Sequence, residues 1–243
     1  MIDAILNLFF PQVCVLCGTP IFERRWSAAC PECWSKLEPV PRPFCLQCGM
    51  PALAIETRCG ACRRGDHAFD FARSLFIFND PMRGIIHHLK YSARVSLAKP
   101  LGAPLRNCMA LGGFEAKVVV PVPLHRSRSR ERGFNQAELL ARQLGLRVDL
   151  RLLKRRKNTP SQTGLSRSQR ALNLSAAFEV RGAPPETVLV VDDVYTTGST
   201  LHEIAKTLKR AGARRVEVLT VARVLSMSGA NASPTGRSHQ ETA

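Results

Sequence analysis

The sequence is short of acidic groups, aromatic rings and long apolar runs. Asp and Glu together number 19 against 35 Lys and Arg in 243 residues, for a formal net charge of +16. Aromatic residues make up 6%, with Trp 2 and Tyr 2, so a row of stacked nucleobases would find few platforms. No apolar run approaches the roughly 20 residues of a spanning helix, which argues against a membrane-inserted protein. The opening MIDAILNLFFP is apolar but carries Asp3 and no basic region, so it does not read as a secretory signal. The cytoplasm is the expected compartment. Neither G-x-G-x-x-G nor G-x-x-x-x-G-K-[ST] occurs, so dinucleotide and Walker-type sites lack their fingerprints. What remains is 45% hydrophobic and 22% charged, the composition of a folded chain. Its length suits one ordinary domain plus a small one.

Cysteine, by contrast, is abundant and ordered. Eight of the nine form C-x-x-C pairs: Cys14/Cys17, Cys30/Cys33, Cys45/Cys48 and Cys59/Cys62. A tight turn that presents two thiolates lets both reach one ion, and two such knuckles complete a tetrahedral Zn²⁺ site. A redox dithiol or an iron–sulfur cluster is the alternative; zinc fits four paired knuckles most economically. An internal repeat supports it. Cys14-Val15-Leu16-Cys17-Gly18-Thr19-Pro20 recurs as Cys45-Leu46-Gln47-Cys48-Gly49-Met50-Pro51, each followed by a second C-x-x-C. The repeat predicts sequential pairing with one Zn²⁺ per copy, interleaved ligation being the other possibility. Glycine after the second cysteine suits a turn with positive φ. Cys108 stands alone and reads as a small buried hydrophobe, and Trp26 and Trp34 as packing for the small module.

Two filled sites would lower the net charge to about +12. The excess is concentrated between Lys117 and Arg181, where fifteen Lys and Arg face Glu131, Glu138, Asp149 and Glu179. Such a field favours phosphate-bearing ligands; a merely basic solvated surface is the plainer reading.

From about residue 70 the pattern becomes α/β. Runs suited to strands lie at 74–78, 117–122, 146–150, 187–191 and 215–221, with helix-length segments at 81–93, 135–144 and 199–212 between them. This alternation predicts a mainly parallel sheet with helices on both faces. Residues 152–177 fit neither period and read as a long functional loop. The expected organisation is 1–66 as a zinc-ribbon module with a short N-terminal helix, 67–225 as the α/β domain, and 226–243 as a disordered tail. His87 and His88 lie on a predicted helix without a second ligand motif and read as structural or surface residues. Phe134 and Phe178 read as core anchors.

The segment Val188-Leu189-Val190-Val191-Asp192-Asp193-Val194-Tyr195-Thr196-Thr197-Gly198-Ser199-Thr200 carries the chemistry. A buried strand delivers two carboxylates to the carboxyl edge of the sheet, where open α/β folds place ligands. The following loop of small hydroxyl residues precedes a helix, an arrangement suited to wrapping a phosphate. This segment resembles the phosphoribosyl pyrophosphate (PRPP) motif of type I phosphoribosyltransferases. The stretch Pro121–Ala141, PVPLHRSRSRERGFNQAELLA, is similar to the signature of the ComF competence-protein family. The cysteine-rich front, Lys90-Tyr91, Thr159, Gln162, Arg170 and Asn173 match that family as well.

The resemblance implies that Asp192 and Asp193 contact the ribose hydroxyls. It implies that Thr196, Thr197, Gly198, Ser199 and Thr200 hold the 5′-phosphate, with Val194 and Tyr195 completing the motif. Mg²⁺ accompanies PRPP in that family, and the implied reaction is phosphoribosyl transfer to an acceptor. Among the arginines after the strand at 117–122, Arg128 and Arg132 are the candidates for pyrophosphate, while a solvated basic face is the alternative. Residues 154–170 fall where such enzymes carry a lid; Lys154, Arg155, Arg156 and Lys157 would close over pyrophosphate or follow a nucleic-acid backbone. ComF proteins are associated with handling single-stranded DNA, so single-stranded DNA and competence proteins are the implied partners. A non-catalytic, PRPP-sensing DNA-binding adaptor is the second reading.

Overall fold

A computed structural model describes residues 12–21, 29–52, 58–91, 95–156 and 177–225. In chain order the elements are β1 (Gln12–Val13), β2 (Pro20–Ile21), α1 (Pro31–Ser35), α2 (Gly60–Arg63), β3 (Phe71–Ile77), α3 (Asp80–Tyr91) and α4 (Ala98–Leu111). They continue with β4 (Val118–Pro121), α5 (Arg126–Arg132), α6 (Gln136–Ala141), β5 (Arg147–Val148), β6 (Leu153–Arg155), β7 (Phe178–Val180), β8 (Thr187–Tyr195), α7 (Ser199–Arg210) and β9 (Arg215–Arg223). Five strands form one sheet in the order β3-β9-β8-β4-β5, and every pairing in it is parallel. The expected mainly parallel sheet is present.

Side-chain alternation along the central strands builds two cores, since successive residues point to opposite faces. Val188 and Val190 of β8 and Val216 and Val218 of β9 pack against Leu201, Ile204 and Leu208 of α7. Leu189, Val191, Leu219 and Val221 instead meet Met82, Ile85 and Leu89 of α3 and Leu101 and Leu105 of α4. The buried positions of α3 and α7 recur every three or four residues, the stripe that holds a helix against a sheet.

Several expectations are corrected. The strand read as 187–191 runs on to Tyr195, so both aspartates lie within it. Helix α4 was not read from the sequence, because Pro100, Gly102 and Pro104 punctuate it; its buried Ala98, Leu101 and Leu105 nevertheless share one face. The start of the supposed loop 152–177 forms strand β6, which pairs antiparallel with β7 just beyond the loop's end. Cys108 is only partly buried, at the edge of the α3/α4 core. Phe178 is buried as expected, whereas Phe134 is half-buried and lies outside the core clusters. Residues Thr159, Gln162, Arg170 and Asn173, Trp26, Lys157 with most of the proposed lid, the N-terminal helix and the 226–243 tail lie outside the described residues.

Candidate functional site

The two cysteine copies adopt one local structure. In each, the amide of the first cysteine donates to the carbonyl five residues on, Cys14 to Thr19 and Cys45 to Met50, both at 2.8 Å. The glycine amide returns to the first cysteine, Gly18 to Cys14 and Gly49 to Cys45, both at 2.9 Å. Both glycines have positive φ, 74° and 71°. The second knuckles also correspond: Cys30 precedes α1 and Cys59 precedes α2. Their amides donate to the Sγ of Cys14 at 3.3 Å and of Cys45 at 3.2 Å.

Cys14, Cys17, Cys30 and Cys33 thus gather in one group, and Cys45, Cys48, Cys59 and Cys62 in the other. The pairing is sequential. Sγ–Sγ separations are 3.6 Å for Cys17–Cys30, 3.7 Å for Cys45–Cys62 and 3.6 Å for Cys48–Cys59. A tetrahedron with Zn–S near 2.3 Å has edges of about 3.8 Å, so the donors are already spaced for zinc. Proximity to Thr19 brings the Cys17 thiol down to about 6. Burial opposes ionisation of Cys45, but the amides of Cys48, Cys59 and Gln47 outweigh it and bring that thiol to about 7.

At the carboxyl end of the sheet, β8 carries Asp192, half-buried, and Asp193, 4% exposed. Asp193 is locked from both sides. One carboxylate oxygen pairs with Lys90 Nζ at the end of α3, and the other accepts a hydrogen bond from Gln136 Nε2 at 3.2 Å. Gln136 Oε1 in turn accepts from Arg132 Nη1 at 2.6 Å, and the Arg132 guanidinium lies 5.0 Å from the Tyr91 ring centroid. One chain of contacts therefore joins α3, α5, α6 and β8. Burial works against charge on Asp193, but Lys90 and the hydrogen bonds hold its carboxyl below the usual value. Asp192 behaves oppositely: burial, then the neighbouring Asp193 charge, push it well up.

Just beyond, Thr196 is exposed, and Gly198 takes a left-handed conformation at φ 76° as the residue preceding α7. Ser199 and Thr200 open that helix rather than a loop. Thr197 Oγ1 lies 2.9 Å from Ser199 Oγ and accepts from the Ser199 amide at 3.4 Å. Val194 is half-buried and Tyr195 is 3% exposed, so Tyr195 faces the interior.

The arginine run forms α5, opened by His125, whose Nδ1 accepts the Ser127 amide at 3.3 Å. Arg126 and Arg130 are exposed, whereas Arg128 and Arg132, one turn apart, are half-buried. Arg155, expected in a mobile lid, is instead buried in β6 with its guanidinium 5.6 Å from the Phe178 ring centroid. Burial lowers its pKa first, the charge of Arg128 lowers it further, and Asp192 opposes both. Sequence reasoning missed Gln136 as a site residue and took Arg155 only as one of four lid cations. The GFNQ stretch was the available signal for Gln136, and nothing in LKRRK distinguishes the inward arginine from the outward ones.

A five-stranded parallel sheet, with an acidic pair and a glycine turn at the carboxyl end of a central strand, defines a phosphoribosyltransferase-type domain, here accompanied by two tetracysteine sites. Comparison with known families agrees on both parts. Residues 5–63 match the double zinc ribbon domain and residues 130–235 the phosphoribosyl transferase domain. The chain is 30% identical over 228 residues to competence protein F of Haemophilus influenzae, covering 88% of this chain and 98% of the relative. It is 33% identical over 228 residues to the DNA utilization protein YhgH of Escherichia coli K12, covering 90% of this chain and all of the relative. Competence protein ComFC of Bacillus subtilis is 28% identical over 219 residues, covering 82% and 90%. The chain belongs to the ComF competence-protein family. Among the described residues, no helix is long and apolar enough to cross a membrane.

Proposed function

We propose that this protein binds PRPP together with Mg²⁺ at the carboxyl end of β8 and transfers the phosphoribosyl group to an acceptor, in the service of single-stranded DNA handling. The observation that carries this reading is the spacing along one strand. Asp192 and Asp193 stand six and five residues before the left-handed Gly198, which leads into the first turn of α7. Carboxylates for ribose hydroxyls and amides for a phosphate thereby share one short segment.

The two acids have different work. Asp193 is held by Lys90 and Gln136, so it fixes the strand end and supplies negative charge without turning. Asp192, the more exposed, offers its carboxylate to the ribose. Thr196–Thr200 take the 5′-phosphate. The neighbouring carboxylates, with Asp192 raised by burial and then by the Asp193 charge, suit a hard cation with oxygen ligands; bound Mg²⁺ would neutralise charge on the departing pyrophosphate. Arg128, Arg132 and Arg155 match pyrophosphate in charge and fork geometry. As the C1–oxygen bond to pyrophosphate breaks, the sugar becomes cationic and the acceptor's lone pair forms the new bond to C1. The protein contributes position and electrostatic stabilisation, and no covalent nucleophile is required.

The relatives' names, competence protein and DNA utilization protein, support the link to DNA. So does a basic face: Arg156 and Arg181 lie 3.7 and 4.0 Å from the Glu179 carboxylate, and Lys154 stands opposite Glu179 in the β6–β7 pairing. The test is mass spectrometry of products after incubation with PRPP, Mg²⁺ and candidate bases, nucleotides and oligonucleotides. Pyrophosphate release that depends on one acceptor supports transfer. PRPP binding without release under any acceptor supports the sensing adaptor instead.

A further inference from the structure

The second cysteine site is built into the underside of the Thr196–Thr200 segment, and the first is not. Arg223, the last residue of β9, is fully buried and the largest such side chain among the described residues. Its Nη1 donates to the carbonyl of Cys48 at 2.7 Å. Its Nε and Nη2 have no hydrogen-bond partner among the described residues. A buried cation is strongly destabilising without a nearby anion. Four thiolates around one Zn²⁺ leave a net charge of about −2, and Cys48 belongs to that shell. Arg223 therefore stands as the countercharge of the filled second site.

Tyr195 joins this pair to the candidate phosphate segment. The Arg223 guanidinium lies 4.8 Å from its ring centroid. Its hydroxyl lies 3.2 Å from His67 Nε2, and Phe69 meets its ring edge-on. A Cβ added to Gly198 would fall 2.5 Å from Tyr195 Oη and 3.2 Å from His67 Cε1, so the glycine turn rests directly on this hydroxyl. The knuckle is also tied to β3: the Ala72 amide donates to the Gln47 carbonyl at 2.6 Å, and Gln47 Nε2 donates to the Phe69 carbonyl at 3.0 Å. The first site meets the sheet differently. Leu16 presses on Gly84 of α3, and Trp34 and Leu37 join the core on the opposite face.

We propose that metal retention at Cys45, Cys48, Cys59 and Cys62 and ligand occupancy of Thr196–Thr200 are energetically linked through Tyr195 and Arg223 as positioning residues, while the Cys14, Cys17, Cys30 and Cys33 site stands outside the linkage. The proposal rests on the reading of this segment as the PRPP phosphate site. Linkage is reciprocal: whatever factor the metal adds to PRPP affinity, PRPP adds to metal affinity.

The test uses the full-length, zinc-loaded protein and a zinc-selective chromophoric chelator that ignores Mg²⁺. Zinc occupancy is titrated with and without saturating PRPP and Mg²⁺, with PRPP binding followed separately by calorimetry. The expected result is that PRPP makes one of the two zinc equivalents about fivefold or more harder to extract, leaving the other unmoved. Tyr195→Phe keeps the ring over Arg223 and loses only the hydroxyl. It should retain two zincs and native circular dichroism while weakening PRPP binding and shrinking the protection by the same factor, a reciprocity that a purely structural role would not produce. Calorimetric binding with neither equivalent protected, or both protected equally, overturns the linkage; the wild-type titration decides this even if the variant folds poorly. Absence of calorimetric binding overturns the phosphate-site reading itself, and the linkage with it.

Discussion

Replacing Gly198 by alanine should destabilise the fold as well as weaken PRPP binding, and the two causes can be separated. The residue sits at φ 76°, a conformation that costs an L-residue about 1 kcal/mol. The new methyl group would also lie 2.5 Å from Tyr195 Oη and 2.8 Å from its Cζ. That ring is 3% exposed and is held by His67 and Arg223, so it has little room to retreat. Overpacking of this kind costs about 1–3 kcal/mol, which makes the total roughly 2–4 kcal/mol. The clash is with the interior, not with an approaching ligand, so it exists in the free protein. Urea denaturation of wild type, Gly198→Ala, Tyr195→Phe and the double variant measures it. Because the nearest atom is the hydroxyl, the double variant should recover part of the loss and show clear non-additivity. A Gly198→Ala protein within about 0.5 kcal/mol of wild type, or strict additivity, would refute the reasoning.

Lys90→Met removes the cationic partner of the buried Asp193. Since the Lys90 side chain is 25% exposed, the expected loss is about 2–3 kcal/mol, below that of a fully buried pair, and Asp193→Asn in the same chain should restore part of it. Asp193 is shifted down and Lys90 up, so this contribution is complete between their unfolded values, about 3.9 and 10.4. It is lost as pH falls through the native Asp193 value or rises through that of Lys90; pH-resolved denaturation that shows no acid-side loss attributable to this pair would contradict it. Elemental analysis should find two zincs per chain, and iron or no metal would overturn that assignment. Cys45→Ser, whose cysteine is fully buried in the α7-side core, should lower the melting temperature more than Cys17→Ser, whose cysteine is exposed. If Arg126, Arg130, Lys154 and Arg156 follow a nucleic-acid backbone, affinity for single strands should fall steeply with salt, with a shallower slope once those charges are removed. Salt-insensitive binding would leave the basic face to pyrophosphate alone.

The sequence made the parallel sheet legible because the buried central strands and the amphipathic α3 and α7 each follow one period. The paired knuckles were legible because thiol spacing is imposed by the metal, and the repeat C-x-x-C-G-x-P shows directly in the matching hydrogen bonds of Gly18 and Gly49. What escaped depended on contacts between distant segments. Helix α4 is held by burial of Leu101 and Leu105 despite its prolines, a tertiary override of local propensity. Arg155 reads as a lid cation and Arg223 as one more basic residue in a basic chain, yet both are buried, beside Phe178 and Cys48, which lie far from them in sequence. The lock on Asp193 draws Lys90 and Gln136 from separate helices, so no local pattern announces it.

Calorimetric titration with PRPP and Mg²⁺, comparing wild type with the Asp192→Asn/Asp193→Asn double variant, tests the central claim most directly. The variant removes two charges with almost no change in volume, and charge-assisted partners of this kind are worth a few kcal/mol together. The account predicts saturable binding by the wild type and binding abolished or weakened about a hundredfold in a variant that remains folded. A wild type that does not bind, or a folded double variant that binds equally well, would contradict it.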